Sequence, residues 1–186
     1  MSGHLSPPAG DPCQTSPVLT PSEGLPGWYL FHVDPCGETP IRTPGHSAYA
    51  PIHGSAAAAS TALAISFIDC INRRDVDGLG ELMAEDHQLK VFEEPPLTGR
   101  RENIEAWSGY VRSFPDYVIH PHRLAQSDRG VAVLGHTTGS HLGSSNEEEQ
   151  ELTLIWIAEI TDGRVRVWRL QEDSLENRRA TCLDQV

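Results

Sequence analysis

The sequence predicts one α+β domain behind a long extension, and three observations predict it. Between about residues 56 and 114 apolar residues recur at three- and four-residue spacing, the period of amphipathic helices. From Tyr117 onward the period falls to two, with turn residues separating the apolar runs, as in antiparallel strands. Helices precede strands without βαβ alternation, so the helices should bury their stripes on one face of a curved sheet.

Composition narrows the function classes. The chain has 186 residues, enough for one domain plus an extension. Lys plus Arg number 14 against 26 Asp plus Glu, a formal charge of −12, which argues against a nucleic-acid or anionic-membrane partner. No run approaches the length of a transmembrane helix, and the N-terminus lacks a basic region followed by an apolar one. Met1 to Ser55 contains a single basic side chain, Arg42, unlike an organelle transit peptide; the expected location is cytoplasmic. Cys13, Cys36, Cys70 and Cys182 show neither a CxxC pair nor metal-type spacing, so reduced thiols are expected, with Cys70 a small core residue.

Residues 1–55 hold ten of the 14 prolines, which remove backbone donors and block both helix and central strand. Residues 1–25 are expected to be disordered, and Gly27–Asp34 to form a short strand, an arm on the domain or a linker. The folded domain is expected over residues 56–182. Its first helix starts in the Ala-rich residues 56–59 and carries Leu63, Phe67, Ile68 and Ile71 on one stripe. Asp75 suits the N-cap of a second helix with Val76, Leu79, Leu82 and Met83 on its apolar side. Leu89 to Phe92 reads as a short strand stopped by Pro95-Pro96. A third helix after Gly99 buries Ile104, Trp107, Val111 and Phe114.

Strands are then expected at Tyr117–Ala125 and Val131–Thr138 around Ser127–Gly130, and at Glu151–Ile160 and Arg164–Gln171 around Thr161–Gly163. The acidic run Glu147–Glu149 and Glu151 is expected to be solvated. Asp173 followed by Glu176 has the spacing of a capping box for a last helix from Ser174 to about Thr181.

This order of elements resembles the nuclear transport factor 2-like superfamily, and within it the SnoaL-like, polyketide cyclase-type domains. The likeness is carried by FIDCINRRDVDGLGELMAED, by TGRRENIEAWSGYVRSFPDYVI, by GSHLG (Gly139–Gly143) and by TDGRVRVWRLQEDSLENRRA, together spanning about residues 60–182. It implies a cone: a strongly curved antiparallel or mixed sheet wrapped around three helices, open at one end to an apolar pocket. It also implies a homodimer formed through the sheet. The superfamily includes isomerases, cyclases, hydrolases and non-catalytic modules, so the fold alone does not choose among them.

Similarity to ketosteroid isomerases places Glu94, in FEEP, where those enzymes carry a proton-shuttling base. A carboxylate at an apolar pocket mouth is raised towards neutrality by desolvation, which suits a general base. The isomerases' hydrogen-bond donors correspond to Phe67, which cannot donate, and Trp156, whose indole N–H can. The cyclases' acid/base aspartate corresponds to Leu170. By strand alternation Trp156, Trp168 and Leu170 share an inner face with Val131, Val133 and Gly135, joined by Trp107 and Tyr110 from the third helix. His141 resembles the family's strand-end histidine.

Phe67, Trp107, Tyr110, Gly135, His141, Trp156, Trp168 and Leu170 are thus the expected ligand contacts, with Glu94 the expected base. The ligand expected is a small hydrophobic polyketide-, terpenoid- or steroid-like molecule, its chemistry proton transfer next to a carbonyl. A non-catalytic binding or dimerisation module of the same fold is the alternative. His120 and His122 share a strand face, but the expected hairpin register puts His136 opposite Pro121, on the other face. No metal or other cofactor is therefore expected. GxSxG, HExxH, P-loop and GxGxxG patterns are absent.

Overall fold

The computed structural model describes residues 56–184 and the backbone of Gln14–Thr15. The rest of the extension, with the expected strand or arm at Gly27–Asp34, lies outside the described residues. Gln14–Thr15 form a two-residue strand, β1, so regular pairing occurs at one point where none was expected.

Helix α1 (Ala56–Arg73) turns Ala64, Phe67, Ile68 and Ile71 into the core, on the stripe its spacing implied. The side chain of Asn72 pins it to the sheet: its amide donates to the Ile119 carbonyl at 2.9 Å and accepts from the Ile119 N–H at 2.8 Å. Asp75 caps α2 (Val76–Leu82) as expected, accepting from the Gly78 N–H at 2.9 Å. Gly80 lets α2 approach α3 closely: a Cβ there would lie 2.6 Å from Ile104 Cδ1, so the Ile104 side chain would have to shift.

Met83, expected on the stripe of α2, instead begins strand β2 (Met83–Val91), fully buried in extended conformation. The strand therefore starts six residues before Leu89. Its early part was hidden because Glu85 and Asp86 break the apolar pattern; they face outward and pair with Arg100 and Arg166 at 2.6 and 3.0 Å. After β3 (Leu97–Thr98) comes α3 (Arg100–Ser113), which buries Asn103 and Trp107.

Strands β4 (Val118–Ser127), β5 (Gly130–Thr138), β6 (Leu154–Thr161) and β7 (Arg164–Glu172) follow as two hairpins. Asp162 and Gly163 have φ of 51° and 70°, the left-handed pair that a tight two-residue hairpin turn requires. The sheet order is β1-β4-β5-β6-β7-β2-β3, antiparallel throughout except for β2 beside β7. The result is an α+β cone, a mixed curved sheet around α1, α2 and α3.

Two expectations at the C-terminal side are corrected. Glu147–Glu149 lie in a short helix, α4 (Asn146–Gln150), with a capping box between Ser145 and Glu148, and β6 begins only at Leu154. Helix α5 (Leu175–Ala180) is capped by Ser174, which accepts from the Asn177 N–H at 3.1 Å; Asp173 is not the cap. Asp173 binds Arg178 at 2.5 and 2.6 Å and accepts from the Thr153 hydroxyl, an arrangement that holds its carboxyl below the usual range, chiefly through the Arg178 hydrogen bonds.

The sheet separates two apolar clusters. The larger lies inside, between sheet and helices. The smaller lies outside, where Ala125, Ala132, Leu134, Ile155 and Ile157 are covered by Cys182 and Leu183. Cys70 is a buried free thiol, as expected, but Cys182 is disulfide-bonded, so the expectation of reduced thiols fails there.

Candidate functional site

Strand register brings the inner-face residues together as alternation implied. Trp156 pairs with Leu170 on one side and Val133 on the other, and Ala158 pairs with Trp168. Phe67, from α1, packs its ring 4.8 Å from that of Trp168, and Trp156 and Trp168 are almost fully buried. Trp107 sits edge-on to Tyr110 at 5.9 Å on α3. Leu170 is half-buried against the same cluster. Gly135 is placed by backbone geometry: a Cβ there would lie 2.3 Å from the His120 carbonyl oxygen, where β4 bulges.

Tyr110 and His141 meet, with the hydroxyl 3.1 Å from Nδ1. Burial raises the Tyr110 phenol, and Tyr117, 5.0 Å away and buried, is raised further for the same reason. The His141 ring is exposed, at the rim. Behind it Glu149 is 1% exposed and accepts from the Ser140 N–H at 3.1 Å and the Thr137 hydroxyl at 3.2 Å. Its burial contradicts the expected solvated run: the short helix turns this one carboxylate of the three inward, where two donors satisfy it.

Glu94 stands apart from this cluster. It lies in the turn after β2, its N–H donating to the Val91 carbonyl at 3.0 Å, with an exposed side chain. The apolar enclosure on which its role as a base depends is not provided there.

A buried group absent from the expected set lies deeper. His87, on β2, is fully buried, and its Nδ1 is 2.7 Å from the Val165 carbonyl oxygen. A carbonyl only accepts, so Nδ1 carries the proton and Nε2 presents a lone pair. Burial lowers the His87 pKa, which keeps the ring neutral. Asn103 faces it from α3, donating from Nδ2 to the Gly99 carbonyl at 2.8 Å, that of Leu97 at 3.1 Å and that of His87 at 3.5 Å. The signal for His87 is its two-residue spacing before Leu89, obscured because the outward-facing Glu85 and Asp86 interrupt the apolar pattern of β2.

On the outer face the β4 bulge changes the histidine register. His136 pairs with His120, not with Pro121, and His122 is carried to the same face. The His120 and His136 rings stack at 4.6 Å, and His122 Nε2 lies 2.7 Å from His136 Nδ1. His120 reaches the Thr138 hydroxyl at 3.0 Å. Burial first, and the neighbouring imidazoles second, lower His120 and His136. A surface groove of about 520 Å³ near the β6–β7 turn is lined by Glu85, Asp86, Arg100, Asp162, Arg164 and Arg166. It is charged and separate from the aromatic interior.

Among the described residues no helix is long and apolar enough to cross a membrane. A search of curated proteins returns no match. Among solved structures, the fold is shared with a protein from Sinorhizobium meliloti assigned as a polyketide cyclase, at 22% identity over 59% of this chain and 94% of that one, TM-score 0.51. It is shared with a Kribbella flavida protein assigned as a ketosteroid isomerase, at 23% identity over 62% and 78%, TM-score 0.50. It is shared too with a SnoaL-like polyketide cyclase assignment from Jannaschia, at 15% identity over 73% and 97%, TM-score 0.52. The family model of the SnoaL-like domain matches residues 64–168, which span the inner-face cluster from Phe67 to Trp168. The chain belongs to the SnoaL-like domain family, within the nuclear transport factor 2-like fold.

Proposed function

We propose that this domain binds a small, flat hydrophobic molecule of polyketide-, terpenoid- or steroid-like character inside the cone. One observation carries the proposal: Phe67, Trp107, Trp156 and Trp168 converge on an interior that also contains buried polar atoms without partners. An interior serving only as core would be expected to pair such atoms, because each costs about 1–3 kcal/mol when left unsatisfied. The polyketide cyclase and ketosteroid isomerase names among the structural neighbours support a carbonyl-bearing ligand.

Proton transfer next to that carbonyl is the reaction the family names suggest. Glu94 takes part only where bound ligand covers its exposed carboxylate. The second reading is a non-catalytic binding module, favoured by that same exposure. A thermal-shift screen with aromatic polyketide-like and terpenoid-like carbonyl compounds tests binding, because a ligand held by the folded state alone raises the melting temperature. Stabilisation by none of them would overturn the binding proposal. Where a turnover substrate emerges, full activity in Glu94→Gln removes Glu94 from the chemistry.

A further inference from the structure

Three side-chain atoms buried on the inner side have no hydrogen-bond partner: His87 Nε2, Asn103 Oδ1 and Trp107 Nε1. Their residues come from two packed elements. The Asn103 amide reaches the His87 carbonyl of β2, and Trp107 follows Asn103 by one turn on the same face of α3. His87 and Asn103 are fully buried and Trp107 is 8% exposed. Aromatic rings lie beside two of them: Phe67 is 5.8 Å from His87 and 4.8 Å from Trp168, and Tyr110 is 5.9 Å from Trp107.

The direction of each bond is fixed. His87 spends its only proton on the Val165 carbonyl, so Nε2 accepts. The Asn103 NH2 faces three carbonyls, which turns Oδ1 away from them as an acceptor. The indole of Trp107 only donates. Two acceptors and one donor, set in an aromatic surround, match a hydroxyl group on a flat apolar body.

We propose that His87, Asn103 and Trp107 form the polar end of the ligand site and select molecules bearing a phenol or enol hydroxyl. The hydroxyl hydrogen is donated to His87 Nε2 or Asn103 Oδ1, and its oxygen accepts from Trp107 Nε1. This rests on the cone being a ligand site. The lowered pKa of His87 is consistent with it, since a protonated ring would lose the acceptor.

The test compares 2-naphthol with 2-fluoronaphthalene, which has similar shape and no donor, by tryptophan quenching with the full chain. His87→Asn serves as the variant, since its amide can keep a donor towards Val165 while removing the Nε2 acceptor. Wild type should prefer 2-naphthol by about tenfold or more, and the preference should fall below about threefold in the variant. Equal binding of the two probes, or an unchanged preference in His87→Asn, overturns the polar end and leaves the apolar site standing. Binding of neither overturns both. Ring 15N spectra of wild type give a readout independent of the variant's folding. The His87 Nε2 signal should shift with 2-naphthol and not with 2-fluoronaphthalene; an unmoved signal under saturating 2-naphthol overturns the proposal.

Discussion

On the inner face of the sheet, His87 is fully buried beside the Phe67 ring, with one nitrogen bonded to a carbonyl and the other unpaired. On the outer face, the His136 ring contacts both His120 and His122. The carbonyl beside His87 permits one tautomer, so that imidazole has a defined acceptor. The outer rings have other imidazoles or a hydroxyl as partners, so either member of each bond can carry the proton. One residue type thus supplies a directed acceptor on one side and bonds whose proton either partner can carry on the other. Carboxylates divide similarly: Glu149 is buried between two donors, while Glu94, the base expected from the resemblance, is exposed.

Truncating the inner aromatic wall tests this contrast with the largest effect. Trp168→Ala should cost about 3–5 kcal/mol in urea unfolding, through lost burial and the cavity left behind. His122→Ala, at an exposed ring, should stay within about 0.5 kcal/mol. Comparable losses at both sites would mean that the interior is not the main source of stability. Next in size, Glu149→Ala should cost about 1–3 kcal/mol by leaving the Thr137 hydroxyl and Ser140 N–H without their acceptor. Glu94→Gln should leave the unfolding midpoint nearly unchanged. Asp173→Asn should cost about 1 kcal/mol, discounted because Arg178 is 38% exposed.

The pH dependence gives the finest test. His87, His120 and His136 all have folded pKa values below the ordinary histidine value, so the unfolded chain takes up protons first. Stability should therefore be full above about pH 6.5 and fall as pH drops below it. His136→Gln should flatten part of that fall by removing one depressed site and one neighbour of His120. Asp173 adds loss at lower pH: its folded pKa is depressed, so its contribution is present above the ordinary aspartate value and lost as pH falls through the depressed one. Melting temperatures between about pH 2 and 8 check both; a flat profile would contradict them.

Much of this was legible in the chain itself. The spacing of Phe67, Ile68 and Ile71 identified the buried stripe of α1, and the two-residue alternation of Trp156, Trp168 and Leu170 assigned them to one face. Asp162-Gly163 marked a tight hairpin, because few residues tolerate left-handed backbone. Local periodicity decides such features, since a helix or strand exposes its period wherever one side meets the core. Other features depend on distant partners. The β4 bulge that aligns His136 with His120 follows from pairing with β5, and outward ion pairs with Arg100 and Arg166 disguise the start of β2. The choice of Ser174 over Asp173 as cap follows from the competing partners Arg178 and Thr153. The unpaired nitrogen of His87 exists because a carbonyl 78 positions along the chain takes its one proton. By itself the sequence determined the elements and their faces. Register, burial of individual charges and the direction of each hydrogen bond were decided by tertiary structure, because they are relations between residues distant in the chain.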